Sequence, residues 1–184
     1  MRLFVAIALP EDLRARLARL QQGVPAARWV DPDNLHLTLR FIGEADGGQA
    51  QDLDAALTQV RAARFALTLA EVGRFGQGRK ARALWVGVAP ALELDRLQRW
   101  VEQAVQAAGF APEGRKFKPH VTLARLKGDP GSRLDDYLAH HAAFRAEPFE
   151  AREFVLYSSL LAQAGAIHTP EAAYPLSTGS DAVP

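Results

Sequence analysis

Two copies of one short motif hold the residues best suited to acid–base chemistry. His36-Leu37-Thr38-Leu39 and His120-Val121-Thr122-Leu123 each alternate a polar with an aliphatic residue, which is the period of a strand that buries one face. The imidazole and the hydroxyl of each copy therefore project from the same side of a strand. An imidazole gains or loses its proton near neutral pH, so two of them brought together could act as an acid and a base on one substrate.

The flanks of the two copies are alike. Each motif follows a polar turn that contains a proline, Pro32 or Pro119, and each is followed by a glycine, Gly43 or Gly128, as is typical of a strand that ends at a tight turn. A single His-x-Thr is most simply a polar pair on a half-exposed strand. The repetition with matched flanks favours the functional interpretation.

Two arginines near the motifs are candidates to bind an anionic phosphate. Arg40 lies four residues after His36, so strict alternation predicts that it shares the face of the motif. Arg125 lies five residues after His120 and should point away, unless a β-bulge or the strand end turns it back. Alternation alone therefore favours Arg40 as the phosphate clamp, although either arginine could be a solvated residue at a strand end.

Composition limits the class of protein. The chain of 184 residues is 48% hydrophobic and 23% charged, which suits one compact domain or two small lobes with a substantial core. A formal net charge of +1 argues against coating nucleic acid by bulk electrostatics, so RNA would be held at a few phosphates or at one terminus. The absence of cysteine excludes disulfides and zinc sites built on thiolates.

No segment of the sequence looks built for a membrane. The apolar stretch 3–9 is too short to span a bilayer and is not followed by a signal-peptide cleavage site. We therefore expect a cytoplasmic protein without a membrane partner.

The predicted elements follow an order that repeats once along the chain. Alternating and helical patterns predict strand, helix, motif strand, helix and strand, and then the same five elements again. The non-motif strands are expected at 2–8, 65–69, 83–88, 149–161 and 174–176, and the first motif strand at about 35–42. The repeat predicts an α+β fold with two pseudo-symmetric lobes of mostly antiparallel sheet, which carry outer helices and face each other across a central cleft. Residues 1–176 would form one domain of two interleaved lobes, and 177–184 a flexible tail.

Taken together, five segments of the chain resemble the 2H phosphoesterase superfamily. Within it, the chain is most similar to the RNA 2′,3′-cyclic phosphodiesterases, also called 2′–5′ RNA ligases. The resemblance covers nearly the whole sequence, and its segments are 2–7, 34–44, 84–88, 118–125 and 156–159. It implies the same two-lobed architecture and a reaction that needs neither a metal nor another cofactor. The chain departs from the family pattern at His168, near which the family has a tyrosine, and His168 has no role on sequence grounds.

The resemblance also implies roles for the motif histidines. His36 would give a proton to the leaving 3′-oxygen of a 2′,3′-cyclic phosphate, and His120 would take one from the attacking water, leaving a 2′-phosphate. The residues alone indicate the pair and not which of them is the acid. The same pair could also join a cyclic end to a 5′-hydroxyl through a 2′–5′ bond.

Five residues are candidates for substrate binding. The hydroxyls of Thr38 and Thr122 would hold the non-bridging phosphate oxygens. The resemblance favours Arg125 as the phosphate contact where alternation favours Arg40, and both stay candidates. Phe4 could stack on a base, or equally be a core aromatic.

The expected partners are RNA ends that carry a 2′,3′-cyclic phosphate, such as tRNA fragments, or small nucleotides, acted on by a monomer. Three alternatives stay open: a metalloenzyme with His36 and His120 as ligands, a cyclic phosphodiesterase for a small molecule such as an ADP-ribose cyclic phosphate, and a non-catalytic RNA- or nucleotide-binding module. Against the metalloenzyme, neither motif has the i, i+4 histidine spacing of a helical zinc site. Against the idle module, binding alone does not need two titrating imidazoles.

Overall fold

Helices and strands alternate through most of the chain. A computed structural model describes residues 1–162 and 165–178. The helices in this part are α1 Glu11–Ala18, α2 Gly47–Leu57, α3 Leu92–Ala107 and α4 Ser132–His140. The strands are β1 Arg2–Ala8, β2 Ala27–Trp29, β3 His36–Glu44, β4 Phe65–Leu67, β5 Leu69–Phe75, β6 Ala83–Val88, β7 His120–Leu126, β8 Phe149–Ala151, β9 Glu153–Ala162 and β10 Gly165–Pro175.

Most of the strands form one antiparallel sheet with the order β10-β9-β1-β3-β7-β6-β5, and β2 also pairs with β7. Strands β4 and β8 form a separate small sheet. Motif strands β3 and β7 are neighbours at the centre, yet their register consists of the single pair Leu37↔Val121. The sheet is therefore divided into two lobes that meet at this pair. The predicted α+β fold with two mostly antiparallel lobes is confirmed, and the lobes share one sheet.

The two sequence repeats exchange strands. The first repeat runs β1-α1-β3-α2-β5 and the second β6-α3-β7-α4-β9. The last strand of each repeat pairs with the first strand of the other, because β5 pairs with β6 and β9 pairs with β1. The two lobes are accordingly interleaved along the chain.

Apolar stripes on the helices cover the sheet. In α3, Leu94, Leu97, Val101 and Val105 are all within 1% of full burial, as expected for residues at a helical spacing on one face. Helix α2 begins with a capping box. The Asp46 carboxylate accepts from the backbone N–H of Gln49, and the Gln49 side-chain oxygen accepts from the backbone N–H of Asp46. These helices pack in the core on one side of the motif strands, and the opposite side of the strands carries the polar motif residues.

Several predicted boundaries are wrong. Strand β5 continues to Phe75, into the segment expected to be a loop, and β2 was not predicted. Strand β10 covers Gly165–Pro175 where only 174–176 was expected, because pairing with β9 imposes strand geometry on a segment of low β-propensity.

Part of the predicted tail is attached to the domain. Ser177 donates its backbone N–H to Ala62 and accepts from that of Arg64. Residues 179–184 of that tail lie outside the described residues. In the described part of the chain, no helix has the length and apolar character needed to cross a membrane.

Candidate active site

The polar residues of both motifs meet where the two lobes join. Because β3 and β7 are antiparallel and pair at Leu37↔Val121, the register places His36 opposite Thr122 and Thr38 opposite His120. The two pairing residues are fully buried on the core side. The two imidazoles and two hydroxyls thus share the other face in a nearly two-fold arrangement, and all four residues are half-buried.

Both motif histidines are oriented by the same local hydrogen bond. The Nδ1 of His36 lies 2.6 Å from the carbonyl oxygen of Asn34, and the Nδ1 of His120 lies 2.6 Å from that of Lys118. A carbonyl only accepts, so Nδ1 carries the proton in each ring. This tautomer leaves both Nε2 atoms free to accept a proton or, once charged, to donate one.

Burial favours the neutral form of both rings in the free protein. It is the largest influence on His36 and, with repulsion from His168 and His120, lowers the pKa of His36 to about 4 against the opposing bond to Asn34. Burial also lowers the pKa of His120, with the Lys118 carbonyl acting in the other direction. Both rings therefore begin as bases, and an anion bound between them would favour protonating one of them.

Arg40 does not face the motif side of the sheet. Its guanidinium donates to the Glu102 carboxylate and to the backbone carbonyls of Phe41 and Ala111, and only 8% of the residue is exposed. The cause is a register shift, because Ala6 pairs with Thr38 but the preceding residue of β1 pairs with Arg40. This bulge turns Arg40 to the core side. The prediction from strict alternation is wrong.

A matching bulge acts on Arg125. In β6 and β7, Trp85 pairs with Thr122 and Leu84 pairs with Ala124, which is fully buried. The next residue, Arg125, is exposed and so falls on the side of the motif. The bulges lie at equivalent places in the two lobes, and Phe41 is the counterpart of Arg125.

A cavity of about 230 Å³ opens beside His36. Phe4 lines this cavity with only 3% of its surface exposed. It stacks on Tyr157 at 5.2 Å between ring centroids and also contacts His36 at 4.8 Å and His168 at 4.9 Å. Phe4 therefore supports the rings around the cavity, while its proposed stacking on a base stays a prediction.

Aromatic rings also surround the second histidine. Phe75 meets His120 edge-on at 4.8 Å and 83°, and Trp85 lies 6.3 Å from the same ring. Gly73 makes room for the indole, because a Cβ there would lie 2.2 Å from Trp85. Each catalytic candidate is therefore held by a ring of its own lobe.

A larger cavity of about 710 Å³ lies at the far end of β7, lined partly by basic side chains from the loop between β5 and β6, namely Arg79, Lys80 and Arg82. Arg79 is paired with Asp129 at 3.0 Å. A cavity with this lining suits an anionic chain better than a neutral ligand.

Sequence reasoning missed three residues that contact the motif histidines. His168 lies edge-on to His36 at 5.4 Å and 89°, Asn34 orients the same ring, and Phe75 contacts His120. His168 was visible as a departure from the family pattern, but its position depends on β10, which was not predicted. Within residues 1–162 and 165–178, no three histidine or acidic residues are grouped closely enough to hold a metal ion.

The two-lobed sheet with its paired histidine motifs has the architecture that the family resemblance implies, and comparisons with known proteins give the family. The LigT like Phosphoesterase family matches the chain twice, over residues 7–85 and 86–168. An RNA 2′,3′-cyclic phosphodiesterase from Aeropyrum pernix is 43% identical over 119 residues, which are 61% of this chain and 67% of that protein. A protein of the same name from Archaeoglobus fulgidus is 30% identical over 171 residues, covering 91% of this chain and 96% of its own.

Solved structures agree with this result. The crystal structure of E. coli LigT complexed with 3′-AMP matches with a TM-score of 0.80 at 28% identity, covering 95% of this chain and 97% of that one. The protein TT0787 of Thermus thermophilus matches with a TM-score of 0.79 at 28% identity, covering 96% and 98%. The chain belongs to the LigT-like phosphoesterase family, and its resemblance to the 2H phosphoesterases is confirmed.

Proposed function

We propose that this protein hydrolyses 2′,3′-cyclic phosphate ends of RNA to 2′-phosphates, by acid–base catalysis with two histidines and without a metal. The observation that carries the proposal is that His36 and His120 have the same hydrogen bonding. Each donates its Nδ1–H to a backbone carbonyl, which leaves Nε2 available on a common face. The relatives named RNA 2′,3′-cyclic phosphodiesterase support the same reaction.

The reaction needs one proton to be taken and one to be given. In the forward direction, His120 takes a proton from water as the oxygen attacks phosphorus, and His36 gives a proton to the departing 3′-oxygen. This assignment follows the family resemblance. His36 starts neutral, since its pKa is lowered to about 4, so the negative phosphate must raise that pKa on binding for His36 to act as the acid.

The remaining polar groups act on charge and position. Thr38 and Thr122 stand opposite the histidines across the joint and would donate to the non-bridging oxygens. Arg125, on the motif side of β7, would pair with the phosphate anion. With a 5′-hydroxyl in place of water as the nucleophile, the same displacement of the 3′-oxygen would give a 2′–5′ bond, although water at about 55 M competes strongly with so dilute a nucleophile.

A small cyclic nucleotide is a second candidate substrate. The cavity beside His36 is smaller than the roughly 300–1,000 Å³ of a pocket for a drug-sized ligand, so it suits one part of a nucleotide rather than an oligomer. The match to a LigT structure complexed with 3′-AMP favours the same interpretation.

The deciding experiment measures hydrolysis of short RNAs that end in a 2′,3′-cyclic phosphate, and of 2′,3′-cyclic AMP, with the position of the product phosphate determined. His36→Ala and His120→Ala should each lose at least about a hundredfold in rate, the low end for one acid or base. His140→Ala is the control, because His140 lies exposed on α4. Each variant should fold as the wild type does.

Three outcomes would overturn the proposal. Near-normal turnover by either folded histidine variant would remove the two-histidine mechanism, and loss of activity in a chelator would point to the metalloenzyme alternative. Nucleotide binding without any hydrolysis would favour the non-catalytic module.

A further inference from the structure

Strand β10 reaches His36 by two separate routes. The side-chain amide of Asn34 donates to the carbonyl of Ala166 in β10 at 2.7 Å, while the backbone carbonyl of the same Asn34 accepts from His36. Two residues further along β10, the ring of His168 packs edge-on against His36. Lys118, which orients His120, is exposed.

We infer that Asn34 and His168 are positioning residues, which tie the His36 imidazole to β10 and so fix the direction of its reactive nitrogen. The inference rests on the proposed function only in its choice of reaction, because the contacts themselves exist in the free protein.

The first route fixes the acceptor of the His36 bond. Asn34 ends the short turn Pro32–Asn34, and a carbonyl in a free turn could swing away from the ring. The hydrogen bond from the Asn34 side-chain amide to the Ala166 carbonyl holds Asn34 against β10, which in turn is paired along its length with β9. The Nδ1 proton of His36 is thus directed to a fixed acceptor, and its Nε2 to a fixed point.

The second route limits rotation of the ring. His168 contacts His36 at 5.4 Å and 89° and contacts Phe4 at 4.9 Å and 75°, so His36 lies between two rings of different orientation. Across residues 1–162 and 165–178, the Nδ1 of His168 is shielded from solvent and has no hydrogen-bond partner. His168 therefore packs here as a neutral ring, and a proton on it would oppose one on His36.

Three other charged or titratable elements surround the rings of His36 and His168. His120 faces from β7, Tyr157 from β9, and the ion pair of Arg14 with Asp33, at 2.8 Å, lines the same cavity. The pair is internally neutral, and burial raises the pKa of Tyr157. Among these groups His168 is the one whose ring touches His36 edge-on and can change charge in acid.

The test of the first route compares Asn34→Ala with Gln21→Ala. Gln21 is a matched control, because its part-buried amide also donates to backbone carbonyls, those of Val30 and Leu123 at 2.6 and 3.1 Å. Asn34→Ala should lower kcat about tenfold, the order expected for a small misplacement of a catalytic group, and leave KM within about twofold. Gln21→Ala should leave both within about twofold.

The test of the second route uses His168→Phe and His168→Ala. Phenylalanine keeps a ring without a charge, so kcat should stay near that of the wild type, whereas the pKa of His36 should rise. Alanine removes the ring, so kcat should fall several-fold. His141→Phe is the matched control, because His141, just after α4, packs edge-on against Tyr137 of that helix with 4.5 Å between ring centroids.

A nuclear magnetic resonance titration of the ring nitrogens reads the effect on His36 without substrate. Wild type should show the Nδ1–H tautomer of His36 at neutral pH, and Asn34→Ala should show mixed tautomers. If the Asn34→Ala variant does not fold, Asn34→Ser is used in its place for the titration. If kcat, tautomer and pKa of His36 all match wild type in the Asn34 and His168 variants, the inference is overturned. If wild type hydrolyses no cyclic phosphate, the proposed function fails while the titration still decides this inference.

Discussion

At the scale of single residues, two arginines near the motifs have opposite surroundings. Arg40 is buried with Glu102, whose pKa is held below its ordinary value because hydrogen bonds from the Glu113 backbone, Gln106 and Arg40 outweigh the opposing effect of burial. Arg125 is exposed beside the motif. One arginine is therefore structural, and the other is free to meet a ligand.

Replacing Arg40 by alanine should destabilise the fold, and replacing Arg125 should not. Loss of one partner from a largely buried pair leaves the other charge uncompensated, which costs about 3 kcal/mol. Urea unfolding of both variants measures this cost. Arg125→Ala should keep wild-type stability and weaken both substrate capture and turnover, while Arg125→Lys recovers only part. A stable Arg40→Ala variant with crippled turnover would contradict both assignments.

The motif threonines are predicted to act through their hydroxyls. Thr38→Val and Thr122→Val keep shape and β-propensity, so thermal unfolding should be unchanged. If the hydroxyls bind phosphate oxygens, each loss costs on the order of 1–3 kcal/mol of transition-state stabilisation, roughly five- to a hundredfold in rate. Thr58→Val, at the exposed end of α2, is the control. Valine variants as fast as the wild type would reduce the threonines to strand residues.

At the scale of elements, a glycine in β5 makes space for the ring packing at His120. A methyl group at Gly73 would overlap the Trp85 indole, and this overpacking should cost about 1–3 kcal/mol. Gly73→Ala should therefore lower the unfolding temperature and, through the displaced indole, the turnover. Gly47→Ala is the control, because a Cβ there meets nothing within 4 Å. Equal melting temperatures for the two variants would show that Trp85 yields without cost.

The elements also show what sequence patterns can and cannot predict. Alternation predicted motif strands β3 and β7, each with its imidazole and hydroxyl on one face, and helical spacing together with a turn signal before α4 predicted the four helices of the described chain. The predicted cleft between the motifs did not include their pairing as neighbours in one sheet. Alternation failed at Arg40, because a β-bulge inserts one residue there and depends on the pairing with the neighbouring strand. It failed for β10 for a similar reason, since that strand is stabilised by β9 and not by its own composition. The contacts of Asn34 and His168 were out of reach for this reason.

At the scale of the whole molecule, buried histidines make stability depend on pH. His36 has a pKa of about 4 when folded and 6.5 as its ordinary value, so the unfolded chain binds more protons between these values. The free energy of unfolding should therefore rise with pH between about 4 and 6.5. His36 should contribute up to about 3 kcal/mol to this change.

Chemical unfolding of wild type and His36→Gln between pH 4 and 7 tests this dependence. The variant should lose less stability on acidification than wild type. Effects of carboxylates such as Glu102, which also lose stabilising interactions in acid, occur in both proteins and cancel in the difference. Parallel stability curves would mean that His36 is protonated as easily in the fold as outside it.

The strand exchange between the two repeats also bears on how such a molecule can arise. Two identical chains of half the length, each passing its last strand to the other, would build the same central sheet with a motif strand from each chain at the middle. Fusing them requires one connection, from β5 to β6, and here this is the short loop 76–82. A symmetric pair of small proteins would thus become a single gene product whose two halves are free to differ, and Phe41 and Arg125 do differ at equivalent positions.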